Sequence, residues 1–135
     1  MNSMVERIER LCAASGVSGC EEQVRELILQ EIGGLCSYHV DPLGNVIAFK
    51  KGAQTPKNRI LFSAHMDEVG FSITMIEDSG RLRFEAVGGM DSRVVVGKSV
   101  EIGANRMYGV IGTKAVHQQE EAERSEPLKL DKLYI

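Results

Sequence analysis

Tryptophan is missing from this sequence, and four phenylalanines and three tyrosines are all it has in its place. The composition therefore does not advertise a platform for stacking bases or sugar rings. No apolar run approaches the roughly 20 residues that a helix needs to cross a bilayer, so no membrane partner is expected. The opening "MNSMVERIER" lacks the basic and then apolar segments of a secretory signal, which points to the cytoplasm. Cysteine is scarce: Cys12, Cys20 and Cys36 are odd in number and form no C-x-x-C pair. They read as reduced thiols, not as a disulfide framework or a structural zinc site. Excess charge is lacking too. The formal net charge is -3 with no dense basic stripe, which argues against nucleic acid as the partner.

What is present suits a folded chain. Hydrophobic residues make up 43% and charged ones 26% of 135, enough for one compact domain or two partial ones. "SMVE" sets Ser3 and Glu6 at capping-box spacing ahead of Ile8, Leu11 and Cys12 on one helical face. "SGCE" repeats that spacing with Ser18 and Glu21, before a helix carrying Val24, Leu27, Ile28 and Ile32 that stops at Gly33-Gly34. "CSYHV" and "NVIAFK" predict two strands joined through "DPLGN", where Pro42 and Gly44 supply turn geometry. "RILFSA", residues 59–64, predicts a further strand, buried on both faces.

The pattern changes near residue 70. "FSITMIE", "RLRFEAV", "RVVV", "SVEI" and "MYGVIG" predict short strands punctuated by glycine turns, as in a small barrel or sandwich. The closing "LYI" reads as a strand that has just begun, so the chain is expected to be part of a longer one.

One feature carries chemistry. The apolar run ends in "AHMDEVGF", where His65 and Asp67 stand two apart and so share a side of an extended chain. A ring nitrogen and a carboxylate then face one point, or one orients the other. In a parallel sheet such groups gather at the carboxyl ends of strands. The plainer reading is a polar pair marking where a strand meets solvent.

The neighbouring residues weigh on that choice. "GVSGCEEQVRELI", "DPLGNVIAFK", "AHMDEVGF", "VGG" and "GVIGTKAVH" occur in one order, and from about Leu11 to Ile135 the chain resembles the amino-terminal part of the glutamyl and tetrahedral aminopeptidase family of co-catalytic metallopeptidases. The resemblance implies an α/β fold: a zinc-exopeptidase-like half domain over residues 1–69, then a dimerisation-type β-barrel insertion over 70–135, incomplete here. It implies that His65 is a ligand of one ion of a two-metal centre and that Asp67 orients it. It also implies two divalent ions, zinc or cobalt, peptide substrates cleaved at their N-termini, and a homo-oligomer. The family's bridging aspartate, paired glutamates (one the general base), further carboxylate and second histidine have no counterpart in these residues. The 135 residues alone are therefore expected to be inactive and to hold no stoichiometric metal. A competing reading from another class is a non-catalytic fragment that self-associates through its β-domain. A reading frame continuing past Ile135 into "D-x-G" and a paired-glutamate motif would favour the enzyme.

Other residues read as structural. Glu68 points away from Asp67 in extended geometry. His39 is a strand residue, and His117 suits an interface better than a metal. Asp41 and Asn45 flank a turn that wants both residue types. "GANRMYGVIG" lacks the strand-to-helix setting of a phosphate loop. The acidic run Glu120, Glu121 and Glu123 is a solvated surface.

Overall fold

The computed structural model describes residues 3–54, 57–121 and 128–135. Glu123, in the acidic run, lies outside them. The chain divides into two compact units, Met1–Glu68 and Val69–Ile135.

In the first unit, helix α1 spans Met4–Ala13. Its start is the reciprocal cap the sequence suggests: the Glu6 amide donates to Ser3 Oγ, and the Ser3 amide donates to the Glu6 carboxylate at 2.7 Å. Helix α2 spans Glu22–Ile32 and ends at Gly33, with Gly34 at a φ of 81° that a side chain rarely adopts. Arg7 and Arg10 of α1 both reach Glu31 of α2, at 3.2 and 2.6 Å. The second capping box does not form. The residue capping α2 is Glu21, with no side-chain cap bond; the helix begins at Glu22, three residues later than that spacing requires, and Ser18 donates instead to Asp67.

Strands β1 (Ser37–Val40) and β2 (Val46–Phe49) make an antiparallel hairpin, Val40 opposite Val46. Asp41 closes it: its carboxylate accepts from the amides of Leu43 and Asn45 and from the Asn45 side chain, each at 2.9 Å. Those bonds, the Asn45 side chain foremost, hold the Asp41 pKa below the usual carboxylate value. Both residues are spent on the turn. The Arg25 guanidinium packs so near Gly44 that a Cβ there would sit 2.8 Å from Nη1, and the Gly44 φ is 87°. Glycine is required at that corner.

The "RILFSA" segment is not a strand, contrary to its composition. Ile60 is 80% exposed and Leu61 and Phe62 are each 90% exposed. A strand exists by pairing, and no described residue offers this run a ladder partner. Val24 is the buried apolar residue of this unit among those described.

The second unit carries strands β3 (Gly70–Ile76) and β4 (Leu82–Val87), paired antiparallel with a bulge between Ile73 and Met75. Strands β5 (Ser99–Ile102) and β6 (Met107–Val110) form another antiparallel pair. "RVVV" is not a strand. Ser92–Val95 forms the short helix α3, started by Asp91, whose carboxylate accepts from the Arg93 amide at 2.9 Å. Nor is a closed barrel formed among the described residues: the six strands lie in three separate two-stranded sheets. Closure needs each strand paired on both sides, and β5 and β6, four residues each, pair only with one another.

The core of this unit is Phe84, Val95, Ile111 and Leu133, with Phe71 edge-on to Phe84 at 4.7 Å. The C-terminal residues complete it. Leu82 and Ile135 exchange backbone hydrogen bonds at 2.8 and 2.9 Å, and Tyr134 pairs with Gly112. The Tyr134 ring lies beneath the Arg81 guanidinium, 4.4 Å from its centroid. No helix among the described residues is long and apolar enough to cross a membrane.

Candidate active site

The H-x-D pair stands in the first unit, on the segment that ends at Glu68. That segment is stitched to the loop between α1 and α2 by a parallel bridge, Val17 to Glu68, in which the Glu68 amide donates to the Gly16 carbonyl at 2.7 Å. Gly16 permits this approach because it has no side chain. A Cβ there would meet Val24 Cγ2 at 2.8 Å and the Met66 carbonyl at 3.2 Å. Glu68 thus contributes through its backbone, as expected of a structural residue.

His65 Nδ1 lies 2.9 Å from the Asp67 carbonyl oxygen and 3.1 Å from Asp67 Oδ1. Both oxygens are acceptors, so the geometry assigns a proton to Nδ1, which in the neutral ring leaves the lone pair on Nε2. The ring is largely in solvent, its side chain 85% exposed. Asp67 Oδ2 accepts from the Ser18 hydroxyl at 2.5 Å. The Asp67 pKa is lowered, chiefly by the Ser18 hydrogen bond; burial opposes this as the next largest effect, and its own backbone amide and His65 lower it further. Asp67 is therefore a carboxylate at neutral pH, able to hold an imidazole on one oxygen while Ser18 holds the other.

That arrangement fits one position of a divalent metal's coordination shell: a neutral imidazole with a free Nε2, its other nitrogen tied to a carboxylate. It does not fit a whole centre. Among the described residues no three His, Cys, Asp or Glu side chains converge on a possible ion, and a catalytic zinc usually takes three protein ligands. His39 pairs with Ile47 in the β1–β2 hairpin, and His117 lies in a short 3-10 turn of the second unit. A shallow cleft between α1 and α2, lined by Arg10, Gln23, Glu26 and Leu27 among others, includes neither His65 nor Asp67. Ser18 is the residue that sequence reasoning misassigned. Its bond spans 49 positions, and no local spacing announces it.

A family model described as M42 glutamyl aminopeptidase matches residues 44–135. The chain belongs to that family. A protein of Acetivibrio thermocellus, provisionally named an aminopeptidase, is 41% identical over 133 residues, covering 98% of this chain and 38% of the relative. Among solved structures, a TET aminopeptidase from the marine sediment archaeon Thaumarchaeota archaeon SCGC AB-539-E09 superposes with a TM-score of 0.86 at 31% identity. That match covers 96% of this chain and 36% of the archaeal one. The Pyrococcus horikoshii TET1 peptidase, whose structure is described as assembling into a tetrahedron or a large octahedral shell, gives a TM-score of 0.81 at 38% identity. It is matched over 98% of this chain and 39% of its own. The α/β fold of the family is thus shared, and the chain spans under two fifths of the length of these M42 relatives.

Proposed function

We propose that these residues are the amino-terminal part of an aminopeptidase that removes N-terminal residues from peptides with a two-metal centre. His65 is one ligand of that centre and Asp67 its positioning residue. The observation that carries this reading is the His65–Asp67 pair, with Nδ1 tied to the carboxylate and the Nε2 lone pair free. When bound, zinc or cobalt ions supply Lewis-acid polarisation of the scissile carbonyl and an activated water. The chain's own residues supply an imidazole and the carboxylate that fixes it. The other ligands and the general base are assigned to the length of the relatives that this chain does not cover. Residues 1–69 then belong to the catalytic domain and 70–135 to the insertion.

The free thiols of Cys12, Cys20 and Cys36 are in keeping with a cytoplasmic enzyme. Self-association belongs to the same proposal, supported by the shells described for the Pyrococcus horikoshii relative and by the uncovered Ile60, Leu61 and Phe62. Sedimentation at micromolar concentration is expected to give dimers or larger species, and a clean monomer across a wide range would remove that part. The non-catalytic alternative gains nothing from the family match.

Metal analysis and hydrolysis of an amino-acyl chromogenic amide test the enzyme reading. The dialysed 135-residue chain is expected to retain no two-ion centre and to show no turnover with zinc or cobalt. A chimera placing these residues over the matching part of the Pyrococcus horikoshii peptidase is expected to turn over and to lose activity with His65→Ala. A chimera as active with alanine at 65 as with histidine would overturn the reading.

A further inference from the structure

We infer that Ser18 is a positioning residue for the candidate ligand: by donating to Asp67 Oδ2 it fixes the carboxylate so that Oδ1 faces His65 Nδ1 and Nε2 keeps its lone pair for a divalent cation. The inference rests on the reading of His65 as a metal ligand and adds a member that its H-x-D motif does not contain.

The geometry supplies the reason. Asp67 is 43% exposed at its side chain, and an aspartate χ2 is a broad torsion, so the imidazole by itself would leave the carboxylate free to swing. A second anchor on Oδ2 removes that freedom, and the Ser18 hydroxyl supplies it at 2.5 Å. Serine has a single heavy-atom torsion, and its backbone is held on both sides. The Cys20 amide donates to the Val17 carbonyl at 2.7 Å, and Gly19 has a φ of 88°. Residues 17–20 are therefore a turn with glycine at the third position, as a type II turn requires. The Gly19 amide donates to Glu21 Oε1 at 2.6 Å, and the Gly16–Glu68 hydrogen bond ties this turn to the segment carrying Asp67. The hydroxyl is not needed by α2, which begins at Glu22 behind an N-cap of Glu21. A carboxylate so held adds to the Asp67 carbonyl, 2.9 Å from Nδ1, in favouring the Nδ1–H form of the imidazole. A neutral histidine left to water favours the Nε2–H form, which would direct the wrong nitrogen at a metal.

The tautomer of His65 can be read directly in the metal-free 135-residue chain, by long-range proton–nitrogen correlation of the imidazoles at a pH above their titration. His39 and His117 serve as internal references. The wild-type ring is expected to be mainly Nδ1–H. Ser18→Ala is expected to lower its ratio of Nδ1–H to Nε2–H several-fold, and Ser18→Thr, which keeps the hydroxyl, to restore it. The Glu68 amide should stay protected from exchange in all three. An unchanged ratio in Ser18→Ala overturns the inference, as does a threonine variant that behaves like alanine. A Ser18→Ala chain whose Glu68 amide loses protection has lost the loop rather than the hydrogen bond, and this also overturns the positioning role. No metal enters this measurement. An unchanged ratio would leave the ligand reading standing, while a His65 that proves to bind no ion would leave the tautomer result intact.

Discussion

Gly16→Ala should be the most informative single methyl group in the first unit. The new Cβ would stand 2.8 Å from Val24 Cγ2 and 3.2 Å from the Met66 carbonyl oxygen. Carbon atoms prefer about 3.5–4.0 Å, so the first contact is deep in the repulsive wall. Neither neighbour yields easily. Val24 is a β-branched residue within α2, where one χ1 rotamer dominates, and the Met66 atom is backbone. Overpacking of this kind costs about 1–3 kcal/mol. Relief by retreat of the loop would stretch the hydrogen bond from the Glu68 amide to Gly16, worth about 0.5–1.5 kcal/mol. Against this, alanine restricts the unfolded chain and returns about 0.4–1 kcal/mol, since the Gly16 φ is not positive. The net expectation is a loss of about 1–2 kcal/mol, on the overpacking scale less the entropy gain. Gly52→Ala is the control in the same unit: its Cβ would meet only the Gln54 carbonyl, at an ordinary 3.6 Å, so only the entropy gain remains. Urea unfolding followed by far-UV circular dichroism reports this unit, because α1 and α2 have 10 and 11 residues and α3 only four. A Gly16→Ala midpoint equal to that of Gly52→Ala would refute the steric argument and the close stitching of the two loops with it.

Leu133→Ala, at a side chain 1% exposed in the second core, should cost about 2–5 kcal/mol and lower exchange protection across β3 and β4; Leu61→Ala, 90% exposed, should stay within about 0.5 kcal/mol. Ser3→Ala removes the reciprocal cap of α1 and should cost about 0.5–2 kcal/mol, seen as lost helical ellipticity. Asp91 is held at a pKa of about 2 by the Arg93 guanidinium and amide. Because the folded value is depressed, its contribution to stability is present above about pH 4 and fades as pH falls toward 2. A carboxyl titration by nuclear magnetic resonance should show that low midpoint, and Arg93→Gln should move it back toward 3.8.

Much of this protein is legible locally. Ser3 and Glu6 start α1 within a single turn, Gly33 and Gly34 stop α2, and Asp41 and Asn45 tie their own hairpin across four residues. In each, the groups that bond are near neighbours in sequence, so spacing alone specifies the geometry. His65 and Asp67 belong partly to the same class: two positions apart, they come within reach locally, while the anchor on the other carboxylate oxygen comes from Ser18. The family resemblance carried by "AHMDEVGF" and its companions is likewise a property of the residues in order.

Tertiary structure decided the remainder, because it depends on partners that no local window contains. "RVVV" has strand composition, yet the Asp91 cap and burial of Val95 beside Phe84 and Ile111 make it helical. "RILFSA" has the composition of a buried strand and forms none, since strand character is realised only when a neighbour completes the ladder. Ser18 and Glu21 have the spacing of a capping box, but residues 17–20 form a turn and α2 begins only at Glu22, so the serine hydroxyl serves an acceptor 49 residues away. The histidine and aspartate that suggest the chemistry are thus written in the sequence, whereas the serine that holds the aspartate in place is found only where the chain folds back upon itself.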